Sequence, residues 1–212
     1  DAGGVRRIDN LLKPDLVAPG NRIVSARSVD NWMLLMPSQL PAKYPELVKV
    51  PGTSTKGGES VMMLSGTSVA APTVAGAAAL LLQANPGLTP PLVKAILQYT
   101  SQPIAGASLL QQGAGLLNIE GAIRLALALR SDIASAVDAG TMAAGAPLLA
   151  AGRTLPVPIT SLGGQAFAWS RIVYAGGSHV LTGDALFTAF QPIYDPRLVW
   201  VRDRVRRSTV TY

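Results

Sequence analysis

A run of small and apolar residues from Val74 to Leu82 is the feature of this sequence that most restricts its fold. Alanine and glycine dominate the run until Leu80, so a helix formed here has almost no bulk on any side. Such a helix suits a central position crowded by neighbours, and we predict a buried core helix. Because the run is well short of the ~20 residues that cross a bilayer, we predict no membrane contact.

The amino-acid composition restricts the class of protein and the kinds of site that this chain can form. The chain has 212 residues, of which 49% are hydrophobic, enough for a substantial core. It has no cysteine, which excludes disulfides, thiolate metal sites and thiol catalysis. The net charge of +6 reflects in part a cluster of arginines near the end: Arg197, Arg202, Arg204, Arg206 and Arg207. Few aromatic residues are interleaved with them, so we predict a solvated charged face and no nucleic-acid partner, with an anion-binding basic protein as the alternative.

Short apolar runs alternate with helical stretches in the first part of the chain. We predict strands at Leu16–Ala18, Ile23–Ala26 and Val61–Leu64. Thr89 followed by Pro90 predicts a helix start, and so does Asn118 before a helix that runs to about Arg130. Leu92, Ile96 and Tyr99 have the spacing of one buried helical stripe. This alternation indicates an α/β layered domain.

The sequence pattern changes after Arg130. Stretches with β character come next, at Val157–Thr160, Phe167–Tyr174 and Leu198–Val201, with Gly163-Gly164 and Gly176-Gly177 supplying turns. We therefore predict two parts, residues 1–130 and a β-leaning C-terminal extension over residues 131–212.

Gly66-Thr67-Ser68 separates the predicted strand Val61–Leu64 from the apolar helix. A hydroxyl at a helix N-terminus lies where unpaired N–H groups and the positive end of the dipole favour developing negative charge. Ser68 is therefore our candidate nucleophile. The simpler alternative is that Ser68 only caps the helix.

The residues around Ser68 resemble the nucleophile motif of the subtilisin-like serine proteases, the subtilases. The motif is Gly66-Thr67-Ser68-Val69-Ala70-Ala71-Pro72, followed by Val74-Ala75-Gly76. The resemblance extends upstream to Pro14–Gly20 and downstream through Asn85-Pro86 to Gly113-Ala114-Gly115-Leu116-Leu117-Asn118. Thr73 departs from the family, which often has histidine there. The resemblance covers about Lys13 to Leu127 and implies part of a parallel-sheet, three-layer subtilisin-like domain.

The resemblance implies hydrolysis of peptide bonds in polypeptide substrates through an acyl-enzyme. Ser68 is then the catalytic nucleophile, and its backbone N–H donates to the oxyanion. Thr67 and Gly66 are implied at the substrate and oxyanion side of the site. Secretion is also expected from the family alone, and subtilases often bind calcium. We assign no metal ligand and no cofactor, because the sequence has no run of closely spaced Asp and Asn.

The sequence departs from the family in lacking the partners of Ser68. In subtilisins the Asp and the His precede the Ser, but the single histidine, His179, follows it. Asp15 and Asp30 precede Ser68 without matching the family's Asp motif, and neither Asn10, Asn21 nor Asn31 matches the oxyanion-hole asparagine. We predict that this chain is the C-terminal part of a subtilase catalytic domain, inactive without its upstream half as a partner. The alternative is a catalytically inactive subtilase-like module for binding or structure.

Overall fold

The computed structural model describes residues 11–27, 30–31, 36–37, 39–54, 56, 59–176, 178–201 and 204–207. Its strands are β1 (Ile23–Ala26), β2 (Asp30–Asn31), β3 (Met36–Pro37), β4 (Val61–Leu64), β5 (Ile159–Leu162), β6 (Gln165–Ala168), β7 (Ile172–Ala175), β8 (His179–Thr182), β9 (Leu198–Val201) and β10 (Arg204–Arg207). Its α-helices are α1 (Gln39–Lys43), α2 (Thr67–Ala84), α3 (Pro90–Thr100), α4 (Leu109–Gln112), α5 (Ile119–Ala128), α6 (Ile133–Asp138) and α7 (Ala185–Thr188). Single 3₁₀ turns cover Pro45–Val48 and Pro192–Tyr194.

The sheets in this part of the chain are antiparallel pairs. β1 pairs with β4, β2 with β3, β5 with β6, β7 with β8, and β9 with β10. The α/β composition is confirmed, whereas the parallel sheet that the resemblance implies is not found among the described residues. Parallel strands are joined by long crossover connections. The described residues contain one parallel contact, an isolated bridge.

That contact joins Val17 to Leu116 by a parallel bridge. The Val17 N–H donates to the Gly115 carbonyl at 2.9 Å, and the Leu117 N–H donates to the Val17 carbonyl at 2.8 Å. Leu116 also exchanges two hydrogen bonds with Gln102, at 2.7 and 2.8 Å. The strand predicted at Leu16–Ala18 is thus shortened to a single bridged residue.

The chain forms two compact units. One comprises Ala18–Ala75, and the other combines Asp1–Val17 with Gly76–Tyr212. In the first unit, β1 and β4 pair from Ile23↔Leu64 to Ala26↔Val61. Both strands have the bounds that the sequence predicts.

The second unit is built around α3. Leu92, Ile96 and Tyr99 are fully buried, as the helical spacing predicts. The Tyr99 ring lies edge-on to Phe187, with 4.7 Å between ring centroids, and to Trp169 at 6.2 Å. These two aromatic residues come from the part of the chain beyond residue 130, so both parts contribute to one core.

Backbone hydrogen bonds also join the two sides of residue 130. The Arg130 N–H donates to the Leu148 carbonyl at 2.9 Å, and the Ala150 N–H donates to the Ala128 carbonyl at 3.0 Å. The same stretch pairs onward, since the Phe190 N–H donates to the Ala146 carbonyl at 2.7 Å. The division into a catalytic part and an extension at residue 130 stays a prediction. In the structure, residues 76–130 are hydrogen-bonded to the segment beyond residue 130 and share a core with it.

The two predicted helix starts differ in their chemistry. Asn118 caps α5, because its side-chain oxygen accepts from the Gly121 N–H at 3.1 Å. Thr89 holds the N-cap position of α3 without a side-chain cap. Its hydroxyl instead donates to the Tyr194 carbonyl at 2.7 Å. A distant partner has therefore replaced the local one.

Helix α2 is more exposed than a core helix. Only Ala77 and Leu81 are buried along it, while Leu80 and Leu82 are 42% and 46% exposed. The composition predicts a buried core helix, which α2 is not in the chain as described. The prediction that the upstream half of the domain lies outside this chain implies instead an uncovered helix, and α2 is uncovered. By length and composition alone, α2 is the one helix among the described residues that meets the requirement for a membrane span, and a single such helix is a weak indication.

An ion-pair cluster ties Asp15 to α3. The Lys94 Nζ is 2.7 Å from Asp15 Oδ1, the Lys13 ammonium pairs with Oδ2, and Gln98 Nε2 donates to Oδ1 at 3.2 Å. Burial raises the pKa of Asp15, but the hydrogen bonds and charges of Lys13 and Lys94 outweigh it, and the net pKa is lowered.

We therefore expect Asp15 to stabilise the fold above its ordinary pKa of about 3.9, and to lose this contribution as the pH falls through its lower folded value. Asp15→Asn is expected to cost about 1 kcal/mol at neutral pH, since both lysines are half-exposed. The difference should shrink below about pH 4. Urea unfolding at pH 7 and pH 3 measures it, and an unchanged difference at the two pH values would contradict the assignment.

Candidate active site

Ser68 is the second residue of α2 and is exposed. The strand β4 ends at Leu64, two residues turn the chain, and the helix begins at Thr67. None of the described residues hydrogen-bonds the Ser68 hydroxyl. Its position on an exposed first turn makes the hydroxyl accessible to a ligand and to a base.

Gly66 forms the turn between β4 and α2, directly before Thr67 and Ser68. Its φ of +153° lies in a region that residues with a side chain rarely adopt. The Gly66 N–H donates to the Gly20 carbonyl at 2.8 Å. The Gly66 carbonyl accepts from Val69 and Ala70 N–H at 3.1 and 3.2 Å, which satisfies two donors of the first helical turn.

Gly20 lies directly against this turn. A Cβ at Gly20 would be 2.7 Å from the Gly66 carbonyl oxygen and 2.8 Å from the Ala70 Cβ. The first of these atoms is backbone, so it cannot swing aside as a long side chain would. Gly20 therefore permits the close approach on which the geometry before Ser68 depends.

Ser65 has a different role from Ser68 although it stands three residues away. Its hydroxyl donates to Asn21 Oδ1 at 2.9 Å and accepts from the Arg22 N–H at 2.8 Å. Arg22 has a φ of +56°, an uncommon value for a residue other than glycine. The sequence analysis did not identify these positioning residues, although the neighbouring Pro19-Gly20 pair is typical of a turn.

The backbone at Ser68 is suited to an anion. No described backbone carbonyl outside the helix accepts from the Ser68 N–H, and this group lies in the first turn, where intrahelical acceptors are lacking. The helix dipole adds a partial positive charge there. Thr67, also exposed, precedes it. A developing oxyanion would therefore find a donor at this end of α2.

The acid and base candidates lie apart in the chain. His179 begins β8 in the second compact unit, where its Nδ1 is 3.2 Å from the Ser178 hydroxyl. Asp15 is engaged with Lys13 and Lys94. Asp30 lies in β2, where only the backbone is described. No set of three His, Cys, Asp or Glu side chains suited to a metal occurs among the residues that the structure describes.

The terminal arginines are only partly described. Arg197 forms a two-pronged contact with Asp195, with both nitrogen–oxygen distances at 2.8 Å. Arg202 lies outside the described residues, and Arg204, Arg206 and Arg207 are described in backbone only. The solvated charged face and the absence of a nucleic-acid partner stay predictions.

Gly20→Val is expected to disturb the Ser68 turn, because the new side chain collides with the Gly66 carbonyl and Ala70. Forcing this backbone apart should cost about 2–4 kcal/mol of unfolding free energy. Gly52→Val provides a control for the loss of a glycine, since nothing lies within 4 Å of its would-be Cβ, although its φ of +76° adds local strain. Urea unfolding measures both, and a smaller effect at Gly20 than at Gly52 would contradict this view of the turn.

The sequence matches a known protein family. The sequence profile described as "Subtilase family" matches residues 4–122. That is more than half of the chain, and the chain belongs to the subtilase family of serine proteases.

Three similar proteins are all named as proteases. Serine protease AprX of Bacillus subtilis is 36% identical over 111 residues, covering 52% of this chain and 22% of AprX. Subtilisin-like protease SBT2.6 of Arabidopsis thaliana is 37% identical over 97 residues, covering 45% and 9% of the two chains. An "Extracellular protease" of Xanthomonas campestris is 39% identical over 77 residues, covering 36% and 13%. The chain thus spans less than a quarter of the length of these relatives.

Proposed function

We propose that this chain carries the nucleophile of a serine endopeptidase, and that Ser68 is that nucleophile. The observation that carries the proposal is the exposed Ser68 at the start of α2, directly after the turn at Gly66. Membership of the subtilase family supports the reaction class. Polypeptides are then the substrates, and the name of the Xanthomonas relative supports secretion.

In the proposed reaction, Ser68 Oγ attacks the scissile carbonyl carbon while a base removes its proton. The carbonyl oxygen becomes an oxyanion, to which the Ser68 N–H donates. The proton passes from the base to the leaving amine, which departs and leaves an acyl-enzyme. Water, activated by the same base, then releases the acid and regenerates Ser68. Gly66 allows the substrate backbone to approach, and Thr67 borders it.

We propose that the base and its orienting carboxylate come from sequence other than this chain, in the upstream half of the same catalytic domain. The position of His179 in a β-hairpin after Ser68 supports this view. The exposed apolar side chains of α2 support it as well, since a helix of this composition is normally covered. The parallel strands that the family resemblance implies would come from the same half. Residues 131–212 are then a C-terminal extension.

The second candidate is a subtilase-like module without catalysis, serving binding or structure. The absence of a histidine before Ser68 in this sequence is the observation that favours it. A full-length protein that has no His-Gly segment upstream would agree with this alternative.

A fluorophosphonate probe separates the two, because it reacts with a serine only when a base activates it. We expect labelling of the full-length protein, loss of the label in Ser68→Ala, and retention in Ser54→Ala, which removes another hydroxyl from the same compact unit. Labelling that survives Ser68→Ala would overturn the assignment of the nucleophile. Absence of labelling in the unaltered protein would favour the non-catalytic module.

A further inference from the structure

A cavity of about 370 Å³ lies beside α5, within the second compact unit. Arg124, Leu127 and Ala128 of the helix form one wall, and Gly152, Arg153, Thr154 and Pro156 form the other. The lining has two arginines and no acidic residue. This imbalance makes the cavity a place where an anionic group would be stabilised.

Arg124 is held in a fixed position at this cavity. Its guanidinium lies over the Trp169 ring, 5.0 Å from the centroid, and donates to the Ile159 carbonyl. A planar guanidinium stacked in this way loses little further freedom when it binds an anion. The position is therefore prepared before any ligand arrives.

Arg124 has one acidic partner, Glu120, in the preceding turn of α5. Its Nε is 3.4 Å from Glu120 Oε1, close enough for an ion pair but not aligned as a hydrogen bond. The other Glu120 oxygen accepts from the Thr160 hydroxyl at 2.6 Å. Glu120, which is exposed, thus divides its carboxylate between Arg124 and Thr160. Arg153, also exposed, forms no ion pair with a described residue.

The surface beside the cavity is apolar. Leu127, Val157 and Ile159 are 54%, 66% and 44% exposed. Large exposed side chains gathered beside a charged cavity are typical of an interaction site. The ligand that fits this combination has a carboxylate attached to an apolar body, which is the chemistry of a peptide with a Glu or Asp next to aliphatic residues, or with a free C-terminus.

We propose that the Arg124–Arg153 cavity binds a peptide carboxylate, with the adjacent apolar residues of the peptide resting on Leu127 and Val157. The site lies on residues that the proposed catalysis does not use. It rests on the proposed function only in that a peptidase would thereby hold acidic, apolar stretches of its substrates away from the bond that it cleaves.

Fluorescence anisotropy of labelled peptides on the full-length Ser68→Ala protein tests this proposal without turnover. The peptides are an amidated Leu-Glu-Leu sequence, its Leu-Gln-Leu counterpart as the amide, and the same Gln peptide as the free acid. We expect binding of a carboxylate-bearing peptide, weakened about tenfold by Arg153→Ala, the scale of losing one charged hydrogen bond. Whichever acid binds more tightly identifies the source of the carboxylate.

Arg153→Lys should restore part of the affinity, and the effect should weaken as salt is raised. Arg130→Ala is the matched control, because Arg130 is already paired with Asp132 and does not line the cavity. Equal binding of the amidated Gln peptide would overturn the proposal, and so would inorganic phosphate displacing the acidic peptide at equal concentration. Either result leaves the assignment of Ser68 intact, since that assignment is tested by probe labelling and by the rate of peptide hydrolysis.

Discussion

Ser68→Ala is expected to lower kcat for peptide hydrolysis by the full-length protein by roughly 10⁶-fold, with KM changed little. A nucleophile and its base act as a unit, so removing the hydroxyl forfeits nearly all the chemistry that the pair supplies. Substrate binding involves other groups and persists. Initial rates on a fluorogenic peptide measure the effect.

Ser54→Ala serves as the control for losing a serine hydroxyl and should retain the unaltered rate. A second control addresses folding, because Ser68 is exposed and its truncation leaves no cavity. The variant should therefore unfold at the same urea concentration as the unaltered protein. A loss of activity of less than tenfold in a normally folded variant would exclude Ser68 as the nucleophile.

Phe187→Ala is expected to lower the free energy of unfolding by about 3–5 kcal/mol, the usual scale for removing a buried aromatic side chain. Phe187 is fully buried in α7, and its ring contacts Tyr99 of α3 and, at 6.0 Å, Tyr194. The variant therefore damages the packing of a family-matched helix although the substitution lies in the predicted extension. Urea unfolding of the full-length protein measures the change.

Val157→Ala is the matched control from the same predicted extension. Val157 is 66% exposed, so its truncation should change stability by less than about 0.5 kcal/mol. A Phe187→Ala effect as small as this control would mean that residues 131–212 do not support α3, and the shared core would then have no role in stability.

Local signals in the sequence predicted local structure well. β4 and the start of α2 follow from an apolar run, a glycine and small hydroxyl residues that are adjacent in the chain. The α5 cap at Asn118 depends on Gly121, three residues away. The family motif also identifies Ser68 as the candidate nucleophile from the sequence alone. This role of Ser68 stays a proposal.

Features that depend on distant residues were missed. The Thr89 hydroxyl was predicted to cap α3, but it finds the Tyr194 carbonyl 105 positions later. The support of Gly66 by Gly20 is a matter of close approach in space and leaves no pattern in the sequence. Helix α6 was missed in the Ala- and Gly-rich stretch that ends at Gly152, and the single turn of α7 was missed between segments with β character.

The Thr89–Tyr194 hydrogen bond has a consequence for synthesis on the ribosome. The segment bearing Ser68 and the helix α3 emerge well before Phe187 and Tyr194, whose rings complete the core around Tyr99. Contacts between residues so far apart form late, because the intervening chain must first be made and its loop closed. A growing chain therefore carries α3 in an unfinished core until Phe187 and Tyr194 have been translated.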